Sequence, residues 1–194
     1  DKVDGYLLFS NPHEFGRSID IRFTPIRVVC NNTLSFALDQ EAQHFVKLNH
    51  RQAFNPEEIK ETLGIAKDKL ALYKKAAQFL GSKKFKKENL LEYFNRVFPS
   101  MSYDEEKRKL ILEGLYTKEA VSRQAKEAME VLHTQPGAEF AQGSWWQAFN
   151  TVTYLTDHTL GRKKDARLNS AWYGTNFKRK QTALKLATEY AEAA

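Results

Sequence analysis

One run of side chains constrains this fold more than any other. Ile59, Leu63, Ala66, Leu70, Tyr73, Ala77 and Leu80 recur at steps of three and four residues, which puts them on one face of an α-helix. Ahead of them, Asn55-Pro56-Glu57-Glu58 supplies an N-cap, a proline at the first helical position and an acid at the third. Gly81-Ser82 breaks the run. The middle of the chain is thereby committed to one long amphipathic helix.

Shorter helices follow. Leu90, Phe94 and Val97 mark one that stops at Pro99. Ser102 with Glu105 is a capping box leading to Ile111 and Leu115, and Val121, Ala125, Ala128 and Leu132 mark another helix. Gln135-Pro136-Gly137 is a loop. Ser144 with Gln147 is a third capping box, opening a Trp-rich helix that Gly161 is expected to end. A last helix runs from about Asn176 through Phe177 and Leu184.

The first residues read differently. Val3 to Ser10 is rich in strand formers, Asn11 to Gly16 is a turn cluster, and Ser18 to Val29 alternates apolar Ile19, Ile21 and Phe23 with Asp20 and Arg22. Pro25 cannot donate to a ladder, so that strand is expected at an edge or with a bulge. Asn31 or Asn32 would cap a short helix through Leu34 and Leu38, and Gln43 to Asn49 alternates as a third strand. The expectation is an α+β fold: a small antiparallel hairpin or sheet over residues 1–54, then a mostly helical region over 55–194, packed as one domain. The chain opens at Asp1 inside a strand pattern, so a preceding segment is expected.

Several classes of chemistry have no support in these residues. Cys30 is the single cysteine, so there is no disulfide framework; a small buried residue is a better reading of it than a nucleophile. The five histidines, His13, His44, His50, His133 and His158, form neither HxxxH nor HExxH, so no metal site is expected. There is no Walker A motif and no GxGxxG, and no cofactor is expected. No apolar run reaches the roughly 20 residues of a membrane helix, so no membrane partner is expected, and a cytoplasmic protein is.

All three tryptophans lie between Ser144 and Gly174. At helical spacing Trp145, Phe149, Val152 and Thr156 form an apolar stripe, and Trp146, Asn150, Thr153 and Asp157 a second one. Tyr154 stands four residues before His158 and can pack on it. Asn150, Asp157, His158, Arg162 and Arg167 could therefore line a groove. The competing reading is structural: Asp157 pairs with Arg162 or Arg167, and Asn150 bonds a nearby backbone. Asp157 and His158, with Arg167, are the weak catalytic candidates for a hydrolase or nuclease. Neighbouring helix residues diverge by about 100°, so a further acid such as Asp165 or Glu139 would have to complete a site.

Three blocks carry a resemblance. They are Phe23 to Leu34 (FTPIRVVCNNTL), Trp145 to Tyr154 (WWQAFNTVTY) followed by Asp157-His158, and Arg167 to Gly174 (RLNSAWYG). Their wording and order resemble the phage/plasmid-like protein family, a domain of unknown function. The residues carrying the match are Cys30, Asn32, Trp145, Asn150, Asp157, His158, Arg167, Trp172 and Gly174. The resemblance implies a setting in mobile-element DNA metabolism, in a bacterial host cytoplasm. The hairpin and helix are also weakly similar to the core of ring-forming single-strand annealing proteins, a fold-level analogy.

The chain carries a net charge of +6, compatible with a nucleic-acid partner. Candidate phosphate contacts are Arg17, Arg22 and Arg27 on the hairpin, Lys83, Lys84, Lys86 and Lys87 at a helix junction, and Lys178, Arg179 and Lys180 on the last helix. Tyr6, Phe15 and Phe23 interleave with the hairpin arginines as stacking platforms would. A solvated lysine-rich surface explains the same charges. The expected function is single-stranded DNA binding or annealing in recombination or replication, with homo-oligomerisation. A hydrolase, and an interaction protein acting on a host system, are the alternatives.

Overall fold

The computed structural model describes residues 3–10, 19–27, 32–33, 45–48, 55–100, 121–161 and 163–194, with side chains described mainly from Leu70 onward. The helices are α1 (Pro56–Ser82), α2 (Lys87–Val97), α3 (Arg123–Val131), α4 (Trp145–Tyr154), α5 (Lys164–Tyr173) and α6 (Thr175–Glu192). A π-helical segment, Leu155–Thr159, continues α4 directly, and a 3-10 turn, Ala138–Ala141, precedes it.

Capping chemistry sets where several helices begin. The Asn55 side chain accepts from the Glu57 N–H at 3.1 Å, and Pro56 occupies the first turn, where its missing N–H costs nothing. The Ser122 hydroxyl accepts from Ala125 N–H at 3.0 Å and the Ser144 hydroxyl from Gln147 N–H at 3.3 Å. Gln147 closes its box one residue early, its Oε1 accepting from Gly143 N–H at 2.8 Å. Ser144→Ala is expected to lower stability by about 1 kcal/mol, read as a reduced urea midpoint with unchanged slope.

The large side chains pack helix against helix. Tyr73 and Leu80 of α1, Leu90, Tyr93 and Phe94 of α2, Ala125 and Ala128 of α3, Trp145, Phe149 and Val152 of α4, and Leu184 and Ala187 of α6 share one buried core with Phe98. Trp145 is its centre: it stacks on Tyr190 at 5.0 Å and meets Tyr93 edge-on at 5.4 Å. Trp146 turns instead to Tyr73 at 5.9 Å and Phe149 at 5.7 Å.

This corrects the expected fold class. The described residues from 55 onward are 75% helical and contain no strand, beyond a single bridge between Lys84 and Ser144. The architecture is mostly helical, not an α+β fold organised on an N-terminal hairpin. The reason lies in the distribution of bulk: the described aromatic core residues all sit on or beside helices. Ahead of that body the backbone pairs β1 (Val3–Ser10) with β2 (Ile19–Arg27), and β2 with β3 (Asn32–Thr33) and β4 (Phe45–Leu48). β2 therefore has neighbours on both sides. Pro25 falls in the gap between the β4 pairing, which ends at Arg22, and the β3 pairing, which begins at Ile26. A missing N–H there breaks no ladder bond on that side. Asn32 lies in a strand rather than at a helix start. The short helix expected through Leu34 and Leu38, and the capping box at Ser102 and Glu105, lie outside the described residues.

Candidate functional site

The Trp-rich block is a structural centre before it is anything else. Every residue of α4 from Trp145 to Thr153 is buried. Of the two readings of the second stripe, a groove or a packing network, the burial of Trp146, Asn150 and Thr153 supports the packing network for these residues. A helix with no wet face must bond its polar side chains internally; Gln147 reaches the Leu132 carbonyl at 3.1 Å and the Gly143 N–H, and Asn150, Thr151 and Thr153 bond the helix's own backbone. Asn150 Nδ2 donates to the Trp146 carbonyl at 2.7 Å, Thr151 Oγ1 to the Gln147 carbonyl at 3.0 Å, and Thr153 Oγ1 to the Asn150 carbonyl at 2.9 Å. Thr156 Oγ1 donates to the Val152 and Thr153 carbonyls at 2.9 and 3.0 Å. From outside the helix, Gln135 Nε2 adds bonds to the Gln147 carbonyl at 3.1 Å and to Thr151 Oγ1 at 2.9 Å.

Side chains that bond back onto the turn above them compete with the helix ladder and bend it. Here the ladder widens directly after the run of back-bonds. Leu160 N–H reaches the Leu155 carbonyl, five residues back, at 2.8 Å. Asn176 of α6 fills the disrupted turn, its Nδ2 donating to the Thr156 carbonyl at 3.0 Å and the Leu160 carbonyl at 3.4 Å. Gly161 then reverses the chain at φ 130°, and a side chain there would meet Arg167 Cβ at 3.1 Å. π segments of this kind often mark functional sites, which makes the groups on it worth following.

Asp157 turns inward from the π segment. Its carboxylate lies 2.8 Å from Lys180 Nζ, with side-chain exposures of 6% and 0%. Burial lowers the Lys180 pKa below the ordinary lysine value, and the nearby Asp157 carboxylate offsets that only in part. The expected partner of Asp157 was Arg162 or Arg167. Arg162 lies outside the described residues, and Arg167 is half-buried against Gly161. Lys180 is the charged partner that the described residues place on Asp157. It was expected on the surface as a phosphate contact, and full burial removes it from any surface.

His158 is exposed and rests on Tyr154, ring centres 5.3 Å apart, as their spacing suggests. Asp157 and His158 thus point to different environments. Asp165 and Glu139, the acids that might have joined them, are exposed. Among the described residues no group of three His, Cys, Asp or Glu side chains could hold a metal ion.

The remaining basic candidates separate clearly. Lys86, Lys87 and Lys178 are exposed, and Lys83 is half-buried with its ammonium 5.8 Å from the Phe79 ring centre. Lys84 Nζ donates to the Gln142 carbonyl. Arg179 is half-buried: its guanidinium sits 5.5 Å from the Phe98 ring centre and donates to Asn176 Oδ1 at 3.0 Å, and burial lowers its pKa. Arg22 and Arg27 lie on β2, while Arg17 and Cys30 lie outside the described residues. Of the aromatic platforms, Tyr6 is exposed, Phe23 is on β2, and Phe15 lies outside the described residues. Trp172 is half-buried, and Gly174 packs so closely on Ser170 that a side chain would come within 3.0 Å of its Cα.

Sequence reasoning missed three things here: α5 itself, the π segment, and the roles of Asn176 and Lys180. The run Asn150, Thr151, Thr153 and Thr156 was the available signal for the π segment. Nothing in spacing could reveal Asn176 and Lys180, which act from about 20 residues away in another helix.

No helix among the described residues is long and apolar enough to cross a membrane. No curated protein matches the chain, and no solved structure does. A family model matches residues 1–172, so α6 and its Lys180 lie beyond the matched stretch. The chain belongs to the family described as the domain of unknown function DUF932.

Proposed function

We propose that this protein binds nucleic acid through its basic helix starts, with single-stranded DNA as the preferred ligand. One observation carries the reading. α2 and α5 each begin with two lysines, Lys86-Lys87 and Lys163-Lys164, at the N-cap and first helical positions, with no side-chain cap. A helix N-terminus already carries partial positive charge and unpaired N–H groups, and lysines there add to the field rather than cancel it. Glu88 and Asp165 in the first turns offset part of it. α1, α3 and α4 instead begin on Asn55, Ser122 and Ser144 side-chain caps. A phosphate would relieve both the charge and the open N–H groups.

The net charge of +6 agrees with this. In this reading Lys83 and Lys178 add further phosphate contacts, and annealing in recombination or replication of mobile DNA is the biological setting. The nuclease alternative draws no support from Asp157, whose carboxylate is engaged with a buried lysine.

The test is a titration of a labelled 30-nucleotide strand across a salt series. Each phosphate contact contributes about −0.7 to the slope of log K against log salt for a single strand, so the four helix-start lysines predict a slope near −2.8, steepening toward about −4.2 when Lys83 and Lys178 also engage. Binding that ignores salt, or no binding at about 50 mM salt, overturns the proposal.

A further inference from the structure

α5 packs with its small residues and shows its large ones. Its inner line is Arg167, Ser170 and Ala171 leading to Gly174, and Ala171 is the one buried residue of the helix. Outward stand Leu168, 59% exposed, and Tyr173, 42% exposed, with Trp172 half-exposed beside them. Leu168 and Trp172 are four apart and share a face, and Lys164, four residues earlier, continues the same line. Asp165 and Asn169, both exposed, stand among them, so this outward side mixes large apolar and polar groups, a composition suited to a contact surface. The charges around it choose the partner. Lys163 and Lys164 begin the helix and Lys178 is exposed on the next helix, while the exposed Asp165 offsets one of these charges. Aromatic and apolar side chains bordered by cations are what unpaired bases and their phosphates require.

We infer that the outer face of α5 is the platform on which bases of a single strand stack, Tyr173 and Trp172 against the bases with Leu168 beside them, while Lys163 and Lys164 hold the adjoining phosphates. This rests on the nucleic-acid reading above and adds the surface that makes the ligand single-stranded. A duplex keeps its bases stacked on one another and gains nothing from such a face.

The test uses the whole chain and a labelled oligo-dT strand. Trp145 and Trp146 are buried, so quenching of tryptophan emission on binding reports Trp172, and Trp172→Phe is expected to abolish that quench. Tyr173→Ala and Leu168→Ala alter exposed side chains and leave the fold intact, which thermal melting checks. Tyr173→Ala is expected to weaken strand binding by about 5- to 150-fold with an unchanged salt slope and unchanged duplex binding. If both variants bind the strand as the unaltered protein does, with the same salt slope, the α5 platform is overturned while nucleic-acid binding stands. If the unaltered protein binds no strand, both readings fall. If Leu168→Ala instead turns a dimer into a monomer in sedimentation and leaves strand affinity unchanged, the face joins two copies of this chain and the inference is overturned.

Discussion

Asp157→Ala is expected to destabilise the protein by about 3–5 kcal/mol, because it removes the carboxylate that faces the Lys180 ammonium in the interior. Lys180 is fully buried and its Nζ is 2.8 Å from the Asp157 carboxylate. Removing both charges together, as Asp157→Ala with Lys180→Met, is expected to recover most of that loss, since an apolar pair of similar volume avoids the desolvation cost. Urea unfolding of Asp157→Ala, Lys180→Met and the double variant measures it; a double-variant loss equal to the sum of the two single losses would show that the pair is not coupled. A pH profile separates the lysine from its surroundings. Burial holds the folded pKa of Lys180 below the ordinary 10.5. Between those two values the unfolded chain carries a proton that the folded chain lacks, so stability rises with pH across that window. Burial raises Tyr93 and Tyr190 above the ordinary 10.0. Their contributions are present below pH 10 and lost as pH rises through the folded values, the opposite sense. Lys180→Met should flatten the rising limb and leave the fall.

Trp145→Ala is the second large effect, expected to cost about 3–5 kcal/mol. The indole stacks on Tyr190 and touches Tyr93 and Phe85 edge-on, so it ties α4 to α2 and α6 at once. Its removal leaves a cavity that three rigid aromatic neighbours cannot collapse into. Trp145→Phe, which keeps part of the stack, should cost less than half as much. Thermal melting of the two variants checks this; near-equal melting of Trp145→Ala and the unaltered protein would contradict the packing described.

Much of the helical part was legible because its signals are local. Asn55-Pro56, the stripe to Leu80 and the Ser144 cap each act within one or two turns, and each specifies a helix whatever surrounds it. The fold class was not legible, because a pattern of strand formers says nothing about which layer carries the core. The Ser144 to Gly174 block shows the same limit at the site. Its residue types suggested a groove, yet helical spacing alone could not show that the polar face of α4 is covered too. Lys178, Arg179 and Lys180 are consecutive in sequence, but only geometry separates them into an exposed cation, a ring-stacked one and a buried ion-pair partner. Tyr154 and His158 were readable, being one turn apart.

Lys180 belongs to the interior, and in the proposed reading the lysine pairs at the helix starts contact the ligand. The salt dependence of single-strand binding in Lys86→Ala/Lys87→Ala, and in the same protein with Lys163→Ala/Lys164→Ala added, tests that division most directly. Each pair is expected to remove about 1.4 from the slope of log K against log salt, with melting temperatures unchanged. Slopes equal to that of the unaltered protein in both variants would contradict it.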